Sequence, residues 1–177
     1  MKKFFRKSFC LGLVFVFIFM AVGCGKKNDK LEAYKTEMSE FYDKLSQLGD
    51  SIDAIDPNSE GSKEELLGYL DEMNDIYQKM GQCEVPDEFS GVSEITVEAA
   101  EYMQKANECY HLAYDGEFDE ENEQLASQYY ERANNRAMVI LQVLHGEVPS
   151  GEGVSVTTED AYQLSTIDSE DSDSSTE

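Results

Sequence analysis

Residues 31–55 read LEAYKTEMSEFYDKLSQLGDSIDAI, with apolar side chains at Leu31, Tyr34, Met38, Phe41, Leu45, Leu48, Ile52 and Ile55. The steps between them alternate three and four residues without a break. An α-helix turns once in 3.6 residues, so this spacing stacks every one of those side chains along a single stripe, as in a coiled-coil seam. At 1.5 Å per residue the helix should be roughly 37 Å long. It should stop at Asp56, because Pro57 disfavours the helical region for the residue before it.

The same logic carries downstream. Asn58-Ser59-Glu60-Gly61 reads as a turn, and Ser62-Lys63-Glu64-Glu65 as a capping box, with serine and glutamate satisfying two orphan amides. A second helix then places Leu66, Tyr69, Leu70, Met73, Ile76, Tyr77 and Met80 on one face and stops at Gly81 or at Val85-Pro86. A third begins at Asp87 or at Ser93: Pro86 suits the earlier start and Gly91 the later. Its inward positions are Val92, Ile95, Ala99, Tyr102 or Met103, Ala106, Cys109 and Ala113. Asp115-Gly116 closes it, and Asp119 is the N-cap expected for a fourth helix carrying Ala126, Tyr130, Ala133, Ala137, Ile140, Leu141 and Leu144, ending at Gly146 with Pro149 beyond. Four helices with short loops predict an all-α, antiparallel up-down-up-down four-helix bundle over residues 31–146. No strand alternation is visible, and no internal repeat. Residues 147–177 hold nine acids and no base, so this tail is expected to be disordered. Val154, Val156, Tyr162, Leu164 and Ile167 are its exceptions, a candidate docking motif within an otherwise solvated segment.

The other end has a different character. Lys2, Lys3, Arg6 and Lys7 precede an uncharged run from Phe9 to Val22. A basic start, an apolar stretch and small residues at its end describe a secretory signal peptide. The run falls short of the roughly 18–20 apolar residues that a transmembrane helix needs. Ala21-Val22-Gly23-Cys24 resembles the lipobox of bacterial lipoprotein precursors, although that family prefers Leu where Ala21 stands. The resemblance spans about the first 25 residues and says nothing of the rest. It implies cleavage between Gly23 and Cys24, acylation of Cys24, and a mature protein on the extracytoplasmic face of a cell membrane. Several acyl chains anchor a protein stably where one does not. Residues 24–30 would be a short linker, with Lys26, Lys27 and Lys30 at the lipid headgroups.

Without residues 1–23 the chain keeps ten Lys and Arg against 37 Asp and Glu, a net charge of −27. Nucleic-acid binding rests on cations neutralising phosphates, so no nucleic-acid partner is expected. Glu108-x-x-His111 is one half of a di-iron bundle motif, but Gln142 stands where His145 would need a glutamate. The two histidines are expected far apart, so neither a shared metal nor a haem is. Cys83 and Cys109 fall on apolar stripes several turns apart and are expected as two buried, unpaired thiols. The tyrosines are expected to edge the core, ring inside and hydroxyl wet. Asp119-Glu120-Glu121-Asn122-Glu123 suits a helix N-terminus better than a calcium loop. No catalytic, cofactor or metal residue is therefore assigned, and a small-molecule ligand is not expected. The expected function is a non-enzymatic, membrane-anchored bundle that binds an envelope protein. The alternative is a ligand- or metal-binding lipoprotein serving a membrane transporter.

Overall fold

A computed structural model describes residues 29–149. They form α1 (Asp29–Asp53), α2 (Ser62–Gly81), a 3₁₀ helix (Asp87–Val92), α3 (Ser93–Tyr114) and α4 (Glu120–Leu144), and the described residues contain no strand. None of these helices is long and apolar enough to cross a membrane. The expected signal peptide, the cleavage and acylation site Gly23-Cys24, and nearly all of the acidic tail lie outside the described residues. α1 takes in Asp29 and Lys30, at the end of the expected linker 24–30.

The seam of α1 behaves as its spacing requires. Tyr34, Met38, Phe41, Leu48, Ile52 and Ile55 are buried, and Leu31 and Leu45 pack half-buried against the same core. Each fully buried side chain of this size contributes about 1.5–3 kcal/mol through water released from apolar surface. After Asp53 the chain turns through Asp56, whose carboxylate accepts from the Asn58 amide at 2.9 Å. Gly61 follows with φ of 90°, a left-handed conformation that glycine adopts without Cβ strain.

That glycine overturns the expected capping box. Gly61 is the N-cap of α2, no side chain caps that end, and its carbonyl accepts from Glu65 N at 2.9 Å. Ser62 is already the first helical residue, one position too late to cap. The two possible starts of the third helix are both used. Pro86 leads into the 3₁₀ helix at Asp87, and the α-helix proper begins at Ser93. At α4 the Asp119 carboxylate accepts from the Glu121 and Asn122 amides at 3.0 and 3.1 Å, the N-cap the sequence announced. Its far end closes with Gly146 N to Val143 O and Glu147 N to Gln142 O, the Schellman pair, around Gly146 at φ 71°.

Packing is uneven. α3 and α4 form the most extensive contact, α2 and α3 the next, and α1 rests mainly on α2. The alanine faces explain the first: Ala99, Ala106, Ala113, Ala126 and Ala133 are fully buried and Ala137 nearly so. Small side chains let two helix axes approach to the short end of the roughly 8–10 Å range. α2 and α3 touch at Gly81, where a Cβ would lie 2.8 Å from the Ala100 Cβ. Leu67, Thr96, Ala100 and Val139 are buried as well, just outside the predicted stripes.

Tyr42, Tyr69, Tyr102, Tyr110, Tyr114, Tyr129 and Tyr130 edge the core as expected, and two tyrosines depart from that pattern. Tyr34 and Tyr77 are inside entirely, at 1% and 0% exposure. Tyr77 can be, because its hydroxyl donates to Asn134 Oδ1 at 2.8 Å, so the polar end is satisfied without water. Phe41 sits edge-on to Tyr77 at 5.0 Å and to Tyr42 at 4.9 Å. The Tyr42 hydroxyl crosses to α4 and donates to the Ala137 carbonyl at 2.7 Å.

Candidate functional site

A cluster of titratable and polar side chains lies where α2 faces the second half of α3. His111 Nε2 lies 2.9 Å from Asp71 Oδ1, and Nδ1 lies 2.9 Å from Asp115 Oδ2. Both ring nitrogens can donate together only in the imidazolium. The hydrogen bond to Asp71 is the main reason the His111 pKa is raised; partial burial opposes it and Asp115 adds to it. Burial works against the Asp71 carboxylate, but bonds from Asn107 Nδ2 (2.8 Å) and His111 outweigh it and hold its pKa below the usual range. In that form the ring joins Asp71 of α2 to Asp115 at the end of α3 and ties the two helices together.

Glu108, the other half of Glu-x-x-His, accepts instead from Gln104 Nε2 at 3.0 Å. His145 is the C-cap of α4, facing a crevice between α1 and α4 of about 20 Å³, room for one water. Among the described residues no group of three or more His, Cys, Asp and Glu is placed to hold a metal ion. A shallow depression lined by Asn107, Glu108, His111, Leu112 and Asp115 belongs to α3 and its cap alone and opens broadly to solvent.

Cys83 and Cys109 are free thiols, as their heights along the helices led one to expect. Cys109 is buried, but Cys83 is only half-buried, because it follows the end of α2. Its thiol donates to the Lys79 carbonyl at 3.3 Å, and burial, with a hydrogen bond to Glu37, pushes it up to about 12. A thiol that remains protonated is a poor nucleophile.

Two surface assemblies went unread in the sequence. Tyr102 of α3 and Tyr129 of α4 stack at 6.3 Å, with Lys105 Nζ and Arg132 Cζ each 5.7–5.9 Å from both ring centroids. Each cation follows a tyrosine by three residues on the same helix, so the pattern Tyr-x-x-Lys facing Tyr-x-x-Arg carried the signal. At exposed positions a cation–π contact contributes about 0.5–1 kcal/mol, enough to clasp two helices. The second assembly surrounds the turn between α3 and α4. Tyr110 stacks on Tyr114 at 6.4 Å and Tyr114 meets Phe118 at 5.5 Å, leaving Phe118 48% exposed at the tip.

No protein-family model matches this chain, and no curated protein or solved structure matches it either.

Proposed function

We propose that this chain is a non-enzymatic, extracytoplasmic lipoprotein, anchored through Cys24, that works by presenting its outer surface to another protein of the cell envelope. The observation that carries the surface reading is the filled interior. Met73, Tyr77, Met103, Ala106 and Ile140 meet at zero exposure where a haem, metal pair or carried ligand would have to sit. Close-packed interiors leave few voids larger than a water, so binding at such a place would require dismantling the core.

We further propose that the helices run up-down-up-down, each antiparallel to the next. Support comes from paired heights: Gln78 donates to the Ala100 carbonyl while Asp71 meets His111, so α3 rises as α2 descends. Likewise Glu98 meets Arg136 while Tyr102 meets Tyr129. The anchor rests on the signal-peptide pattern and the lipobox-like Ala21-Val22-Gly23-Cys24. Replacing Cys24 with Ser and following detergent partitioning tests it. Loss of the protein from the detergent phase is expected, and retention there with residues 1–23 removed would sink the lipoprotein reading. Crosslinking in intact membranes followed by pull-down would then identify the protein it meets.

A further inference from the structure

We propose that the end of the molecule formed by the α3–α4 turn, with Phe118 at its tip, is the docking surface, and that it takes a cationic amphipathic polypeptide segment. This deepens the surface-binding reading above and rests on it. Of the large apolar side chains left exposed, three cluster in sequence around this turn: Leu112 at 65%, Phe118 at 48% and Leu125 at 40%. A tight turn asks for small or polar residues, not for a phenylalanine facing water. Asp119 N to Ala113 O at 3.1 Å already closes the turn without any help from the ring. Phe118 instead packs tilted at 41° against Tyr114, which stacks on Tyr110, so a partner's apolar side chain would meet a continuous aromatic surface whose rings already hold one another in place.

Charge decides what kind of partner fits. From residue 106 to residue 131 there is no Lys or Arg, while the exposed Asp115, Glu117, Glu120 and Glu121 surround the tip. The histidine of that stretch, His111, is committed to Asp71 and Asp115. Glu123 of α4 lies half-buried beside Tyr110 and Tyr114, whose hydroxyl pKa values are raised mainly by burial and further by its charge, and it forms no ion pair among the described residues. An apolar tip inside an acidic rim repels an anionic bilayer and attracts a segment carrying Lys or Arg beside aliphatic side chains. In the proposed helix order this turn also lies at the end opposite the start of α1, where the lipid tether enters, so it faces away from the membrane.

The test titrates the full chain in detergent with a synthetic Leu/Lys amphipathic peptide, beside a Ser/Lys peptide of equal charge and phosphatidylglycerol vesicles, by calorimetry. The Leu/Lys peptide should bind at least about tenfold more tightly than the Ser/Lys peptide, one decade being the loss of a single good apolar anchor. Phe118→Ser should remove that advantage, and Val97→Ser, equally exposed but elsewhere, should leave it intact. Glu117→Lys with Glu121→Lys, which keeps Phe118, should weaken the Leu/Lys peptide as well. Equal affinity for both peptides, equal effects of the two serine variants, or preference for the vesicles would overturn the proposal. Peptide selectivity in a chain whose Cys24→Ser variant partitions unchanged would leave the docking surface standing and remove the anchor. Anchoring without selectivity would do the reverse.

Discussion

Gly81 and Gly68 lie on the same helix and should answer the same substitution with opposite sign. Around Gly68 a Cβ would meet nothing within 4 Å, so Gly68→Ala should gain only the entropy that glycine otherwise loses, about 0.5–1 kcal/mol. At Gly81 the new methyl would lie 2.8 Å from the Ala100 Cβ, with the Thr96 carbonyl oxygen at 3.5 Å behind it. Carbon atoms rest about 3.5–4.0 Å apart, so the helices must part locally by about 1 Å. Neither Cβ can rotate away, since both are fixed to backbone. Overpacking of this kind costs about 1–3 kcal/mol. The propensity gain at a helix terminus offsets under about 1 kcal/mol of it, leaving a net loss of about 1–2 kcal/mol. For a domain of this size that lowers Tm by about 4–8 °C, against a rise of about 2–4 °C for Gly68→Ala. Thermal unfolding followed by far-UV circular dichroism reads both. Adding Ala100→Gly to Gly81→Ala should recover part of the loss, with a coupling energy of about 1 kcal/mol in the double-mutant cycle. If Gly81→Ala raises Tm as Gly68→Ala does, α2 and α3 do not meet where described and the packing argument fails.

Ala106, at zero exposure on the α3–α4 face, should tolerate enlargement poorly: Ala106→Leu is expected to cost about 1–3 kcal/mol in urea unfolding, and a neutral result would expose slack in that seam. His111 has its pKa raised by its carboxylate partners, so its contribution is complete below the unfolded-state value near 6.5 and fades as pH rises through the higher folded value. The advantage of the native chain over His111→Gln should therefore be a few tenths of a kcal/mol in mild acid, given the exposure of the ring, and should vanish in mild alkali; an advantage growing with pH would contradict the imidazolium bridge. Cys83 and Cys109 should alkylate slowly in the folded protein, Cys83 because its thiol is pushed up to about 12, and fully once unfolded without reductant. A chain lighter by two hydrogens that resists alkylation after unfolding would show a disulfide instead.

The helices were legible because each announces itself locally. Seven seam positions from Leu31 to Ile52 fix the face of α1 whatever it packs against, with Ile55 buried just past its end, and Asp119 caps α4 through amides two and three residues away. What needed a second helix was not legible. Nothing near His111 in sequence names Asp71, which lies 40 residues earlier and comes within 2.9 Å only through the register of α2 on α3. Tyr77 was expected at an edge because its polar partner, Asn134, is likewise remote in sequence. The capping box failed for a different reason. The Ser-x-x-Glu pattern is present, but a left-handed Gly61 one residue earlier starts the helix first. The tip at Phe118 was missed because an apolar residue between two helical patterns looks incidental until its contact with Tyr114 and its exposure are known together.

The lopsided packing also determines how the molecule would carry load. α1 rests mainly on α2 and reaches α4 by the Tyr42 hydroxyl, whereas α3 is gripped from both sides. Under the proposed anchoring through Cys24, the proposed helix order and the proposed docking at the α3–α4 turn, tension would enter at one end of the molecule and leave at the other. It would then run along the axis of α1 and strain its whole seam in shear, from Tyr34 to Ile52, instead of unzipping one contact at a time. The regular spacing that folds α1 would thus also let its lightly held helix share a pull across every turn.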